Sequence, residues 1–308
     1  MTGWNRPGWN RPGWNHPGAF FLVVLILGWP TIAGAQSLDH YTLVMGWQPG
    51  RCIVDPNQPE CANLSLRDSI GRNLSLIGLK PQSRSGSVML KNCDAIFRIF
   101  DRSQGTDACA MPGLRLSEEL ATELSQIMPG TAQCRDRHFW SKYGSCSMLS
   151  QEMFFRRAVD RALEAQRSRL NAKISGALGG KIGRADIIAA FTDEFGLDAD
   201  RALQLICTKP KQGGQPILVE VLIFLTQIGT MHPLSNEGLW GDGEHPPTQR
   251  CPEEILVPAP LTEPRANPAP PAAPAPYPLQ PYDPTKPQPM QVEPDIIEPL
   301  FIPETTVP

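Results

Sequence analysis

His138-Phe139-Trp140-Ser141-Lys142-Tyr143-Gly144-Ser145-Cys146 is the most informative stretch of this 308-residue chain. Read bare, it sets a histidine and a lysine four residues apart, a spacing that on a helix puts both side chains on one face, where they could meet one phosphate. Such pairs are common, and the plain alternatives are a histidine bonded to backbone and a solvated lysine. Cys146 joins the stretch to a wider pattern. It is one of eight cysteines, all lying between Cys52 and Cys251. An even number in an exported chain predicts a disulfide-stapled domain with up to four bridges, whose pairing stays open among 105 possibilities. No Cys-x-x-Cys pair exists and no histidine stands at ligand spacing from another, so neither a metal nor any other cofactor is expected.

Export is read from the first 35 residues. A repeated Gly-Trp-Asn-x-Pro prefix carries Arg6 and Arg11, an apolar run follows from Ala19 to Trp29, and Ala33-Gly34-Ala35 has the small-x-small form of a signal-peptidase site. The alternative, an uncleaved anchor, is poorly served by eleven apolar residues, which span roughly 16 Å as a helix, about half a hydrocarbon core. The mature chain is expected to begin near Gln36, to lie in the periplasm or outside the cell, and to have no membrane span. At the other end, residues 258–308 hold 17 of the 33 prolines. They read as an extended, Pro-rich disordered tail, a spacer or a docking peptide for a protein partner. One domain, residues 36–257, remains between signal and tail. The net charge of −3 argues against a protein that attracts polyanions by bulk charge, so any nucleic-acid contact must be local.

The middle reads as α+β, an antiparallel sheet packed with helices. Tyr41 to Trp47 has strand composition and stops at Pro49-Gly50; Ala95 to Phe100 suggests a second strand, and Ile217 to Leu225 a buried central one. Apolar residues recur at helical spacing from Leu120 to Met128, with Ser117 placed to cap and Pro129-Gly130 to terminate. Further helices are predicted over about Gln151 to Leu170 and Asp186 to Phe195.

With its neighbours included, the opening stretch resembles the second conserved segment of the ribonuclease T2 family, His-Glu-Trp-x-Lys-His-Gly-Thr-Cys, matching at His, Trp, Lys, Gly and Cys. Leu43 to Pro49 followed by Cys52 is similar to the family's first strand. Leu74-Ser75-Leu76-Ile77-Gly78-Leu79-Lys80-Pro81-Gln82 is similar to its first catalytic segment, Phe-Thr-Ile-His-Gly-Leu-Trp-Pro-Gln. Phe154 to Val159 and Leu205 to Cys207 fall in the family's order. The resemblance implies a T2-like fold over roughly Leu38 to Cys251. It also implies metal-free endoribonucleolytic cleavage through a 2′,3′-cyclic phosphate, in which two histidines transfer the protons.

The departures fall on that chemistry. Ile77 stands where the family has its first histidine, Tyr143 where it has the last histidine of the second segment, and Phe139 where it has glutamate. His138 and Lys142 are retained. Isoleucine moves no proton, and tyrosine, with a reference pKa of about 10, is a poor base at neutral pH although its hydroxyl can still donate a hydrogen bond. Each lost acid or base costs typically about 10² to 10⁴ in rate. Lys80 replaces the family's tryptophan, exchanging a stacking surface for a charge. Trp47 is either a base-stacking surface or core. His16 leaves with the signal, His40 opens the first strand, and His232 and His245 lie in loop-like sequence, so no obvious histidine substitutes. Three readings follow: a protein that binds single-stranded RNA with cleavage impaired or absent, an active T2-type endoribonuclease working with His138 and Lys142, and a non-enzymatic envelope protein whose Pro-rich tail is the working part. The substitutions favour the first.

Overall fold

The computed structural model describes residues 38–83, 90–93, 108–241 and 249–260. The signal segment, the expected strand at Ala95–Phe100, His245 and the tail beyond residue 260 lie outside the described residues.

Alternation decides the sheet. In β1 (Leu38–Gly46) the apolar Tyr41, Leu43 and Met45 point into the core. β1 lies between β2 (Ser75–Ser83) and β5 (Ile217–Thr226), antiparallel to both, and β4 (Leu203–Thr208) lies antiparallel along the far side of β5. Two short strands complete it: β3 (Lys181–Gly183) pairs antiparallel with β6 (Glu254–Leu256). β6 meets β5 in parallel, Ile217 opposite Leu256. The sheet is therefore mixed rather than wholly antiparallel. The Cys207–Cys251 bridge returns the chain to the end of β4, and running on from there brings Leu256 alongside Ile217 in the direction of β5.

Helices cover the apolar face. α1 (Gln48–Val54) takes Pro49 and Gly50 into its first turn, so these residues end β1 by starting a helix. α2 (Glu118–Ile127) is capped as expected: Ser117 Oγ accepts from Leu120 N at 3.3 Å. The helix predicted from Gln151 to Leu170 is in fact two, α4 (Gln151–Arg167) and α5 (Arg169–Gly176), following α3 (Arg135–Lys142). Ser168 makes the break. Its backbone is extended, its hydroxyl donates to Ala165 O at 2.7 Å, and the same oxygen caps α5 at Asn171 N. α4 buries Phe154, Phe155, Ala158, Val159 and Ala162 against β1 and β2. α6 (Arg184–Phe195) ends at Gly196, and α7 (Gln227–Met231) follows β5.

Trp47, just past β1, has no exposed surface, and its indole N–H donates to Pro258 O at 2.8 Å. Pro258 and Pro260 are themselves buried. The packed domain thus runs at least three residues beyond the end expected at residue 257.

All eight cysteines pair: Cys52–Cys61, Cys93–Cys146, Cys109–Cys134 and Cys207–Cys251. Cys93–Cys146 closes the longest loop, 53 residues, and beside it Asn92 N donates to Lys142 O at 2.8 Å. Chain-entropy reasoning gives a bridge of that span about 4 kcal/mol. Replacing both cysteines by serine should lower the unfolding free energy in denaturant titration by about that amount. A loss no larger than that from removing the nine-residue Cys52–Cys61 bridge would contradict the assignment.

Candidate functional site

The candidate site forms where α3 and the turn after it cross β2. A register shift between Val44 and Met45 leaves Ile77 as the extra residue of β2, because Val44 lies opposite Gly78 and Met45 opposite Leu76. Ile77 is half-buried, and its side chain rests by Gly46: a Cβ built there would lie 3.0 Å from both Ile77 Cδ1 and Arg51 Cδ. Gly78 is where the helix touches the strand. A Cβ on Gly78 would fall 2.0 Å from the Phe139 ring, so no larger residue fits beneath that ring.

Phe139 is only 5% exposed, with its ring 4.9 Å from Tyr143 and 6.5 Å from Phe154. Trp140, beside it, packs edge-on against Phe154 at 5.6 Å and lies over Gly144, where a Cβ would come within 2.5 Å of the indole. The aromatic run thus seats the helix on the core and leaves His138 and Lys142 partly exposed, although Asp136 and Ser141 are buried with it. His138 and Lys142 share that helix, both half-buried, one turn apart as the spacing implied.

The second face of the sheet carries the charge. Along β5 the odd-numbered residues from Val219 to Leu225 are buried in the core, while Glu220, Leu222 and Phe224 stay half-exposed on the other side. Glu220 accepts from Arg51 Nη1 at 2.6 Å. Lys80, two residues beyond Gly78 on β2, puts its ammonium 5.3 Å from the centre of the Tyr143 ring, and Lys142 reaches the same ring at 5.5 Å. Burial lowers the pKa of Lys80 below that of an ordinary lysine; Glu220 opposes the shift, and Lys142 and Arg51 add to it.

Ile77, Phe139, Tyr143, Lys80 and Lys142 are therefore brought together. Trp47 is not among them. Wholly buried and bonded to the carbonyl of Pro258, it belongs to the core and offers no face to a base. His40 is also sealed in: its Nε2 lies 3.2 Å from Gln82 Oε1 and its ring stacks on Trp240 at 3.8 Å. His232 is exposed at the end of α7. Sequence reasoning missed Arg51 and Glu220. They lie 169 residues apart, and nothing in either local sequence signals that β1 would place them side by side. Among the described residues no group of three or more His, Cys, Asp or Glu side chains converges on a metal position. Chemically, the arrangement can hold an anion with two ammonium groups and offer a phenolic hydrogen bond. It has no imidazole at the positions of Ile77 and Tyr143 and no carboxylate at that of Phe139.

The domain is thus an α+β fold with a mixed sheet, four disulfides and a helix bearing His138 and Lys142 beside the second strand. Residues 38–233 match the Ribonuclease T2 family, and the chain belongs to it. It is 27% identical to Ribonuclease I of Escherichia coli (strain K12) over 217 residues, 65% of this chain and 79% of that protein. It is 27% identical to a ribonuclease of Aeromonas hydrophila over 128 residues, 41% of this chain and 46% of that one. Two solved structures share the fold at a TM-score of 0.50: a mutant of ribonuclease MC1, 20% identical, with 71% of this chain and all of that one aligned, and ribonuclease NT in complex with 5′-AMP, 17% identical, with 73% of this chain and all of that one aligned.

One carboxylate in α3 is out of balance. Asp136 is 6% exposed and its Oδ1 has no hydrogen-bond partner. Burial raises its pKa, against the lowering influence of the Arg137 backbone N–H and guanidinium. A carboxyl whose folded pKa exceeds its unfolded value binds its proton more tightly in the native state. Stability is then lost as pH rises from the unfolded value through the folded one, and the penalty is complete at neutral pH. Asp136→Asn should raise Tm at pH 7 and give little or no gain at pH 3. Equal shifts at the two pH values, or a lower Tm at pH 7, would show that the ionised carboxylate is compensated.

Proposed function

We propose that this protein is an exported member of the T2 family that holds single-stranded RNA at the site of His138, Lys142 and Tyr143, with the family's cleavage chemistry severely slowed or absent. The observation that carries this reading is the packing at Gly78. The residue in the family's glutamate position, Phe139, is a buried ring pressed on that glycine, and the two histidine positions hold Ile77 and Tyr143. A site that moves a proton from the 2′-hydroxyl and returns one to the leaving 5′-oxygen needs groups titrating near neutrality, and these three residues supply none. The loss need not be the product of three separate factors, since residues that act as a unit lose most of their effect with the first removal.

Lys142 supplies the charge and His138 a polar contact beside it. The 5′-AMP complex of ribonuclease NT and the name of Ribonuclease I support a nucleotide ligand on this fold. Export rests on the first 35 residues and on four disulfides, which persist in oxidising compartments. No helix among the described residues is long and apolar enough to cross a membrane. The Pro-rich tail serves as a spacer or as the docking segment for a protein partner.

The test uses the chain from Gln36 with a fluorogenic single-stranded RNA, in EDTA, from pH 4 to 8, beside His138→Ala. The expected result is no cleavage above the variant's background, with RNA retained at low salt and released as salt rises. Release of a 2′,3′-cyclic phosphate that disappears in His138→Ala would instead establish an active enzyme. A second arm installs Ile77→His together with Tyr143→His. If those positions are what the chemistry lacks, cleavage should rise by at least about 10², the low end of what one proton-transfer group contributes.

A further inference from the structure

The two lysines at the Tyr143 ring have no counterpart that explains them as structure. Lys80 and Lys142 come from different elements, β2 and α3, and both ammonium groups lie over one phenol, 5.3 and 5.5 Å from its centre. Among the described residues neither has a carboxylate within salt-bridge distance. Glu220, the acid whose charge acts on Lys80, is already hydrogen-bonded to Arg51 at 2.6 Å. Around this point stand three cations and one carboxylate, a local net charge of about +2 in a chain whose overall charge is −3. A cation placed over a ring gains only about 0.5 to 2 kcal/mol. Mutual repulsion and partial burial work against both ammonium groups. A bound anion would relieve that repulsion and use both charges.

We propose that Lys80 and Lys142 form a two-point clamp for the phosphodiester of a single strand, built around the Tyr143 ring and backed by the Arg51–Glu220 pair. This rests on the RNA-binding reading above and adds the contact that sets its selectivity. Lys142 alone would give one phosphate contact. Lys80 gives a second and, because it stands in place of a planar stacking side chain, it moves recognition from the base to the backbone. Phosphate contacts position a strand but carry no sequence information. The protein therefore binds homopolymers of different base with affinities within a few-fold of each other, and its affinity falls steeply with salt. The ammonium of Lys80 is also held less firmly than that of an ordinary lysine as the pH rises. Burial, Lys142 and Arg51 all push its pKa down, with Glu220 the opposing charge. Binding thus weakens at a pH below that at which an exposed lysine would titrate.

The experiment measures binding of the chain from Gln36 to fluorescent oligo(A), oligo(U) and oligo(C) between 50 and 300 mM salt (about the range in which such contacts are resolved), for the wild type, Lys80→Gln, Lys80→Arg and Lys142→Gln, with Tm recorded for each. Each phosphate contact on a single strand contributes a slope of about 0.7 in log K against log salt. Lys80→Gln should lower the slope by about that amount, weaken all three homopolymers alike, and leave Tm unchanged or raised, because a repelled charge has gone. Lys80→Arg should restore the slope. An unchanged slope in Lys80→Gln, or a fall in Tm without recovery in Lys80→Arg, overturns the clamp and makes Lys80 a structural residue. If the wild type retains no RNA at all, the functional reading fails by itself. Titration with inorganic phosphate then decides the clamp: binding that Lys80→Gln abolishes supports it, and no binding overturns it as well.

Discussion

The contact of the Phe139 ring with the bare backbone of Gly78 is the constraint on which the site depends. It fixes how closely α3 approaches β2, and with the neighbouring packing of Trp140 on Phe154 and Gly144 it fixes the rotation of the helix. Once that rotation is set, residues 138 and 142 fall on the outer side and residue 143 falls over β2. The Cys93–Cys146 bridge and the Asn92–Lys142 backbone bond hold the end of the same helix. A close-packed interior transmits such a constraint because it has few voids in which to relax. Apolar packing thus fixes the geometry of the site between α3 and β2.

The same packing accommodates apolar and aromatic side chains at all three positions. Phe139 replaces a polar side chain with one that contributes to the core, Ile77 adds apolar contact beside Gly46, and Tyr143 joins the aromatic cluster through Phe139. Each of these side chains packs, where a polar group buried without a partner would be costly. Among the described residues the charge gathers on Lys80, Lys142 and Arg51, with Glu220 opposing both Lys80 and Arg51, and the Arg135–Glu60 pair acting on Arg51 from beside it. Such a site trades stability for retained charge, a trade that function commonly demands.

Much of this architecture was legible beforehand. The alternation in β1 and β5, the capping by Ser117, the helices around Phe154 and Phe191, and the number of bridges all follow from local pattern. The break at Ser168 was missed because apolar periodicity continues across it, and only the hydroxyl's bonds to Ala165 and Asn171 turn the chain. β2 was read as a conserved segment but not as a strand. Its sequence, with Gly78 and Pro81 inside, has weak strand propensity, and pairing with β1 overrides it. The indole of Trp47 looked equally suited to a cleft or to the core until Pro258, 211 residues away, supplied its hydrogen-bond acceptor.

The sequence by itself determined which residue types stand where the resemblance puts the family's reactive groups, because Ile77, Phe139 and Tyr143 keep those identities wherever they lie. It also determined the class of fold, through periodicity and cysteine count, since these depend on neighbours along the chain. Only the tertiary structure decided the disulfide pairing, the burial of Trp47, the parallel entry of β6, and the convergence of Arg51, Lys80, Lys142 and Glu220. These are contacts between residues far apart in the chain, and their energies come from which surfaces meet, a quantity that no local pattern of residue types contains.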